Sequence, residues 1–258
     1  MKLLIRLFAA IALTGGIALA DTHEPTGYDG PPERLHIYLL IGQSNMAGRA
    51  PSTEAEKEIP PHTLLLNGEN NWEPAEHPFN RYSTIHTGLG KQRLGPGYAF
   101  VRAMREATPA ITIGLVVNAR GGSDINQWNQ DGKFYRDSLE RARAAMATGQ
   151  LAGILWHQGE RNHQDEDYLS KLAALIANFR ADLDAPELPF VAGQIIDTPL
   201  INDQIARLPE TVPFTRFASA DGLVTYDRWH FDTASVNRLG ERYAAVMIEL
   251  QKEAAARR

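Results

Sequence analysis

The 258-residue chain contains no cysteine. That absence removes a disulfide framework, a thiolate metal site and a cysteine nucleophile in one step. Excess positive charge is also missing, since 26 lysines and arginines face 31 aspartates and glutamates, for a formal net charge of -5. No basic surface is advertised for nucleic acid. After the first twenty residues no apolar run is long enough to span a bilayer. With 43% hydrophobic and 22% charged residues, the chain is neither a disordered tail nor a fibre. It fits one globular domain with a sizeable core, large enough to stand in an oxidising compartment without disulfides.

The N-terminus is read separately. Lys2 and Arg6 precede the apolar run Leu7-Phe8-Ala9-Ala10-Ile11-Ala12-Leu13, and the segment closes on Ala18-Leu19-Ala20 before polar Asp21-Thr22-His23-Glu24. A basic start, a short apolar stretch and a small-x-small end make a secretory signal peptide. Gly15-Gly16 breaks the run and argues against a membrane anchor. The expectation is that residues 1–20 direct export to the periplasm or the medium and are removed. Residues 21–258 then form a single domain with no membrane attachment.

Five short apolar runs predict buried strands: Leu35–Ile41, Ile111–Val117, Leu151–Trp156, Phe190–Ile196 and a weaker Phe214–Ala218. They are continuous rather than alternating, as strands covered on both faces are. Between them apolar residues recur at helical spacing. The series are Tyr98–Met104, then Tyr135, Leu139, Ala142 and Met146, then Leu169, Leu172, Ile176, Phe179 and Leu183, and last Val236, Leu239, Tyr243, Val246 and Leu250. Alternating strands and helices imply right-handed crossovers. The predicted architecture is a three-layer α/β/α sandwich on a five-stranded, mainly parallel sheet. Residues 51–94 have five prolines and no clear period, and read as a long loop insertion, either walling or lidding a site or simply lying on the surface.

Open α/β sheets bind ligands at the carboxyl ends of their strands. Three predicted strands end in polar clusters there: Gly42-Gln43-Ser44-Asn45-Met46-Ala47-Gly48, Asn118-Ala119-Arg120-Gly121-Gly122-Ser123 and Trp156-His157-Gln158-Gly159-Glu160. A fourth cluster, Asp227-Arg228-Trp229-His230-Phe231-Asp232, precedes the last helix. Ser44 sits on a strand-to-helix turn, where a hydroxyl is presented outward, yet it is not in a G-x-S-x-G elbow because Met46 holds the second glycine's place. A plain helix cap is the alternative. A serine nucleophile needs a base, and His230 with Asp227 three residues earlier supplies one from a single loop. Glu160 and then Asp232 compete for the acid's role, although Asp232 reads better as a helix N-cap. Backbone N–H groups of Ser44 and of Gly121 or Gly122, with the Gln158 amide, are candidate donors to a tetrahedral oxyanion.

His157, Glu160 and His163 form an H-x-x-E-x-x-H run, but Gly159 works against the regular helix that would align them, and no metal site is expected. Asp165-Glu166-Asp167 reads as a charged helix start. Trp128, Trp229 and Phe231 lie beside the clusters and are placed either to stack on a sugar or to fill the core.

These four blocks, in this order, resemble the SGNH hydrolase superfamily, and more closely its sialate O-acetylesterase/acetylxylan esterase group, carbohydrate esterase family six. The resemblance runs from Leu35 to the last helix and rests chiefly on the Gly42–Gly48 and Trp156–Glu160 blocks. It implies a flavodoxin-like fold and an esterase acting on an acetylated carbohydrate without metal or organic cofactor. It also implies Ser44 as nucleophile, His230 as base, Asp227 as supporting acid and Gly121 as an oxyanion amide. Gln158 stands where other SGNH enzymes have asparagine. Two other readings remain: a lipid or thioester hydrolase on the same fold, and a glycan-binding protein with a decayed site. No strongly apolar stretch flanks the blocks, which disfavours the first. The intact serine, histidine and acids disfavour the second.

Overall fold

A computed structural model describes residues 26–256, so the expected signal segment lies outside the described residues. The sheet is built outward from β1 (Leu35–Gly42), which pairs in parallel with β4 (Thr112–Ala119) on one side and β5 (Gln150–His157) on the other. Beyond β5 lie β6 (Phe190–Gly193) and β7 (Thr215–Ala218), both parallel. The five expected strands are all present.

The sheet nevertheless has seven strands, in the order β3-β2-β4-β1-β5-β6-β7. The additional two, β2 (Thr63–Leu66) and β3 (Trp72–Pro74), come from the segment read as a loop. β2 pairs in parallel with β4, and β3 closes the edge antiparallel to β2. Strands of four and three residues carry too few side chains to display a period. Pairing to β4 is what forms them, a case of tertiary context overriding local pattern.

Both faces of the sheet are covered, which is why its strands are apolar throughout. Tyr38 and Leu40 of β1 pack with α2 (Gly97–Ala107) and α7 (Thr233–Ala256) on one face. Ile37, Leu39 and Ile41 face the opposite core, shared with α3 (Lys133–Met146) and α4 (Tyr168–Asp182). Alternate residues of one strand thus feed two cores, as a period of two requires. The four helical patterns correspond to these four helices. Asp232 caps α7, accepting from the Ser235 N–H at 2.7 Å.

The order of strands reverses around β1, because the chain lays β2, β3 and β4 on one side of it and then crosses to β5 on the other. Such a switch point opens a crevice at the strands' carboxyl ends. Ser44, Gly121 and Gln158 follow β1, β4 and β5, so all three stand at that edge. Residues 79–85 bind the tip of β4 through side chains. Asn80 accepts from the Ala119 N–H at 2.8 Å and donates to its carbonyl at 3.1 Å, while Thr84 N–H donates to Asn118 Oδ1.

Candidate active site

β1 ends in Gly42, whose φ of +132° and crowded surroundings leave no room for a side chain. A Cβ there would lie 2.1 Å from the His157 carbonyl oxygen, the same oxygen that accepts from the Gln43 N–H at 2.7 Å. The turn this permits leads directly into the short helix α1 (Ser44–Ala47) and brings Ser44 to the crevice.

Here the loop before α7 meets α1. Ser44 Oγ lies 3.0 Å from His230 Nε2, and His230 Nδ1 lies 2.7 Å from Asp227 Oδ2. The carboxylate fixes the tautomer: Nδ1 carries the proton, so Nε2 presents its lone pair to the Ser44 hydroxyl. Asp227 also accepts from the backbone N–H groups of Trp229 and His230, each at 2.8 Å. Partial burial works against its charge, but the His230 imidazole and these two N–H groups outweigh it and hold the carboxyl below the ordinary aspartate range.

Asn45, which the sequence reading did not single out, ties this loop to the sheet. Its Nδ2 donates to Glu160 Oε1 at 2.8 Å and to the Trp229 carbonyl at 2.9 Å, while its Oδ1 accepts from the Phe231 N–H. Two of these bonds from one buried amide hold the His230 loop on both sides of the histidine, and the third ties the amide to Glu160. The adjacency of Asn45 to Ser44 was the available signal.

Glu160 is therefore not in contact with His230. Burial pushes its carboxyl up to about 7, against the Asn45 amide and the backbone N–H groups that favour the anion. Burial also drives His157 down to about 3, so the 3.7 Å approach of His157 Nε2 to Glu160 Oε1 is not an ion pair near neutrality. Tyr243 uses its hydroxyl proton on the Trp156 carbonyl, so His157 Nδ1–H donates to the tyrosine oxygen and Nε2 turns a lone pair toward Glu160. That lone pair is one more reason for the carboxyl to keep its proton.

The unfolded chain releases the Glu160 proton near 4.5 and the folded chain near 7, so between these values the native state holds the extra proton. Stability contributed by this group therefore falls as pH rises through that window. Glu160→Gln is expected to leave the thermal midpoint near wild type at pH 5 and to raise it at pH 8, by a difference equivalent to about 2–3 kcal/mol. Thermal unfolding at the two pH values checks this. A variant difference that stays constant with pH would mean that Glu160 ionises as readily in the folded protein as in the unfolded chain.

Gly121 lies beside Ser44. A Cβ built on it would lie 3.8 Å from Ser44 Cβ and only 2.6 Å from Arg49 Nη2, so glycine keeps the space beside Ser44 open. Gln158 does not sit where expected. It is wholly buried, and its Nε2 is committed to the Ser123 carbonyl at 2.9 Å, Asn162 Oδ1 at 2.7 Å and Gln43 Oε1 at 3.3 Å. A chain of donors sets this orientation, because the Ile125 N–H already fixes Asn162 Oδ1 as an acceptor. Gln158 Nε2 also approaches Gln43 Oε1 at 3.3 Å. The Gln43 Nε2 is left without a partner among the described residues, and Gln43 lines the cavity that Ser44 lines.

That cavity holds about 550 Å³ and is walled by Gln43, Ser44, Gly121, Gly122, Trp229 and His230, with charged side chains from four separate loops. Thr87 and Lys91 of the 51–94 segment belong to its wall, so that segment does border the site. Of the three candidate stacking residues only Trp229 reaches the cavity. Trp128 and Phe231 are buried, the former packed edge-on against Trp156. His163 also lines the cavity, but its Nδ1 lies 3.1 Å from the Glu160 carbonyl. Among the described residues no three histidines, aspartates or glutamates converge in a metal-ligand arrangement.

Comparison with known proteins places the chain in a family. Residues 34–249 match the model of a family described as carbohydrate esterase, sialic acid-specific acetylesterase. A "probable carbohydrate esterase" of Arabidopsis thaliana is 32% identical over 183 residues, covering 62% of this chain and 68% of that protein. A 1.6 Å structure of an Arabidopsis protein superposes with a TM-score of 0.75 at 27% identity, over 84% of this chain and 99% of the other. NanS gives a TM-score of 0.70 at 16% identity, over 86% of this chain and 99% of its own, which is a likeness of fold. The same holds for a carbohydrate acetylesterase from Xanthomonas citri, at 0.64 and 19% over 84% of this chain and 57% of that one. With five-sixths of its length matched by one family model and the site blocks inside that span, the chain belongs to the sialic acid-specific acetylesterase family of carbohydrate esterases.

Proposed function

We propose that this carbohydrate acetylesterase is exported and works through a serine acyl-enzyme, with Ser44 as nucleophile, His230 as base and Asp227 as the acid that orients it. The observation that carries the reading is the in-line pair of hydrogen bonds, Ser44 Oγ to His230 Nε2 and His230 Nδ1 to Asp227 Oδ2, at the mouth of a cavity. Ser44 Oγ attacks the acetyl carbonyl carbon as its proton passes to His230 Nε2. The oxyanion gathers the N–H groups of Ser44 and Gly121. The bond between the acetyl carbon and the sugar oxygen then breaks, and His230 returns its proton to that oxygen. Water, deprotonated by His230, hydrolyses the acetyl-serine and releases acetate.

The side-chain donor in this reading is Gln43, and Gln158 positions it. Gln43→Ala is expected to lower kcat about 10²–10³-fold with a small change in KM, the usual effect of removing one oxyanion donor. Unchanged kcat would place the donor elsewhere. A lipid hydrolase would want an apolar groove, whereas this cavity is rimmed by arginine and lysine. Export rests on the residue 1–20 pattern. Among the described residues no helix is long and apolar enough to cross a membrane.

The direct test is acetate release from acetylated xylan and from O-acetylated sialic acid, with a serine-reactive phosphonate as inhibitor. Release from either, abolished by a single label on Ser44, supports the proposal. Sugar binding with neither release nor labelling would make the protein a glycan-binding module.

A further inference from the structure

The backbone of Gly121 does not demand glycine, since its φ lies outside the left-handed region where Gly42, Gly48 and Gly122 are found. Glycine there admits the Arg49 guanidinium. A Cβ at Gly121 would lie 2.6 Å from Arg49 Nη2 and push it aside, while touching Ser44 Cβ at 3.8 Å. One vacant point in space thus borders both the nucleophile and a cation. Ser44 and Gly121 stand level because Gly42 of β1 pairs with Ala119 of β4.

Arg49 is gripped at its backbone. Its N–H donates to the Leu94 carbonyl at 3.0 Å, and its carbonyl accepts from the Tyr226 hydroxyl at 3.2 Å. Nη1 donates to the Gly48 carbonyl at 2.6 Å, the side chain's single hydrogen bond among the described residues. No carboxylate pairs with it there, whereas Arg81, Lys133, Lys171 and Arg216 each have one. Asp227 is engaged with His230, and Glu160 with the Asn45 amide. The guanidinium lines the Ser44 cavity half-buried, and that burial works against its charge. An ion taken out of water without a counter-ion is destabilising, and a chain with 31 acids against 26 bases has carboxylates to spare. The resting protein leaves this cation without its counter-charge.

We infer that Arg49 is a catalytic residue whose guanidinium stabilises the oxyanion formed when Ser44 attacks the acetyl carbonyl, adding a full charge to the Ser44 and Gly121 amides. This rests on the acyl-enzyme reading and extends its donor set. As Ser44 Oγ bonds to the acetyl carbon, its proton passes to His230 Nε2 and the carbonyl π pair moves onto oxygen. That oxygen carries the negative charge that Arg49 lacks at rest. When the bond to the sugar oxygen breaks, the pair returns to the carbonyl and His230 gives its proton to the leaving group. Water attacking the acetyl-serine forms the second oxyanion in the same place. A cation oriented before the charge appears needs no reorganisation during the reaction. The ester itself is neutral at the carbonyl, so the interaction is made in the transition state and is read in kcat rather than KM.

The experiment uses the full-length enzyme and 4-nitrophenyl acetate, a neutral ester, so that a loss reports charge created in the reaction and not charge brought by the substrate. Arg49→Met keeps the stem and removes the charge, whereas Arg49→Lys keeps a charge. In Arg49→Met kcat is expected to fall about 10²-fold with KM within about threefold of wild type, and Arg49→Lys should recover about tenfold or more of that loss. Methylboronic acid gives an independent reading. Its boron accepts Ser44 Oγ and becomes a tetrahedral anion, with the serine proton on His230. Its inhibition constant should rise in Arg49→Met by about the factor lost from kcat/KM. Thermal unfolding of each variant separates charge from packing, and Arg49→Gln replaces Arg49→Met if the latter does not fold.

Wild-type kcat in Arg49→Met, equal kcat in Arg49→Met and Arg49→Lys, or a loss confined to KM overturns this inference and leaves the esterase reading intact. No release by wild type above the Ser44→Ala background, from this ester or from acetylated sugars, overturns the esterase reading itself and this inference with it.

Discussion

Ser44→Ala is expected to abolish acetate release, with kcat falling about 10⁴–10⁶-fold, while the protein unfolds at the temperature of wild type. The loss is large because no other described hydroxyl contacts His230 Nε2. Whatever residual rate survives comes from donors that still surround the carbonyl without a nucleophile to attack it. Stability should move by less than about 0.5 kcal/mol, because the hydroxyl contacts only the rim-exposed His230 and leaves no buried group stranded. Acetate assay and thermal unfolding on the same preparation check both halves. Turnover near wild type would remove Ser44 from the mechanism. Loss of both turnover and folding would make it a structural serine.

The parts of this site that were legible in the sequence are those set by local chain geometry. Ser44 follows a buried strand by three residues, and Asp227 and His230 share one short loop, so their convergence needed only the parallel-sheet architecture. Other parts depend on contacts between distant segments. The inward orientation of Gln158 is imposed by Asn162, itself fixed by the Ile125 N–H, and nothing near Gln158 in sequence encodes it. The paired strands β2 and β3 exist because β4 offers an edge to Thr63–Leu66, and a four-residue run cannot announce that by pattern. The positive cavity was equally hidden. Its cations come from positions 49, 91, 161 and 228, and net charge is a sum that carries no coordinates.

The choice of supporting acid separates two residues that the sequence leaves in competition. Asp227→Asn is expected to lower kcat about 10⁴-fold. An asparagine that keeps its Oδ1 on the Trp229 and His230 N–H groups turns its amide toward His230 Nδ1. Nδ1 then becomes an acceptor, the proton moves to Nε2, and Ser44 faces a nitrogen with no lone pair to offer. Glu160→Gln leaves that arrangement alone. Its retained carbonyl still accepts from Asn45, so the clamp on the Trp229 and Phe231 backbone persists, and kcat should fall by less than about tenfold. Steady-state kinetics of the two variants on one acetylated substrate settle the matter. A ranking in which Glu160→Gln costs more than Asp227→Asn would mean that the buried carboxyl, rather than the one touching the imidazole, governs the base.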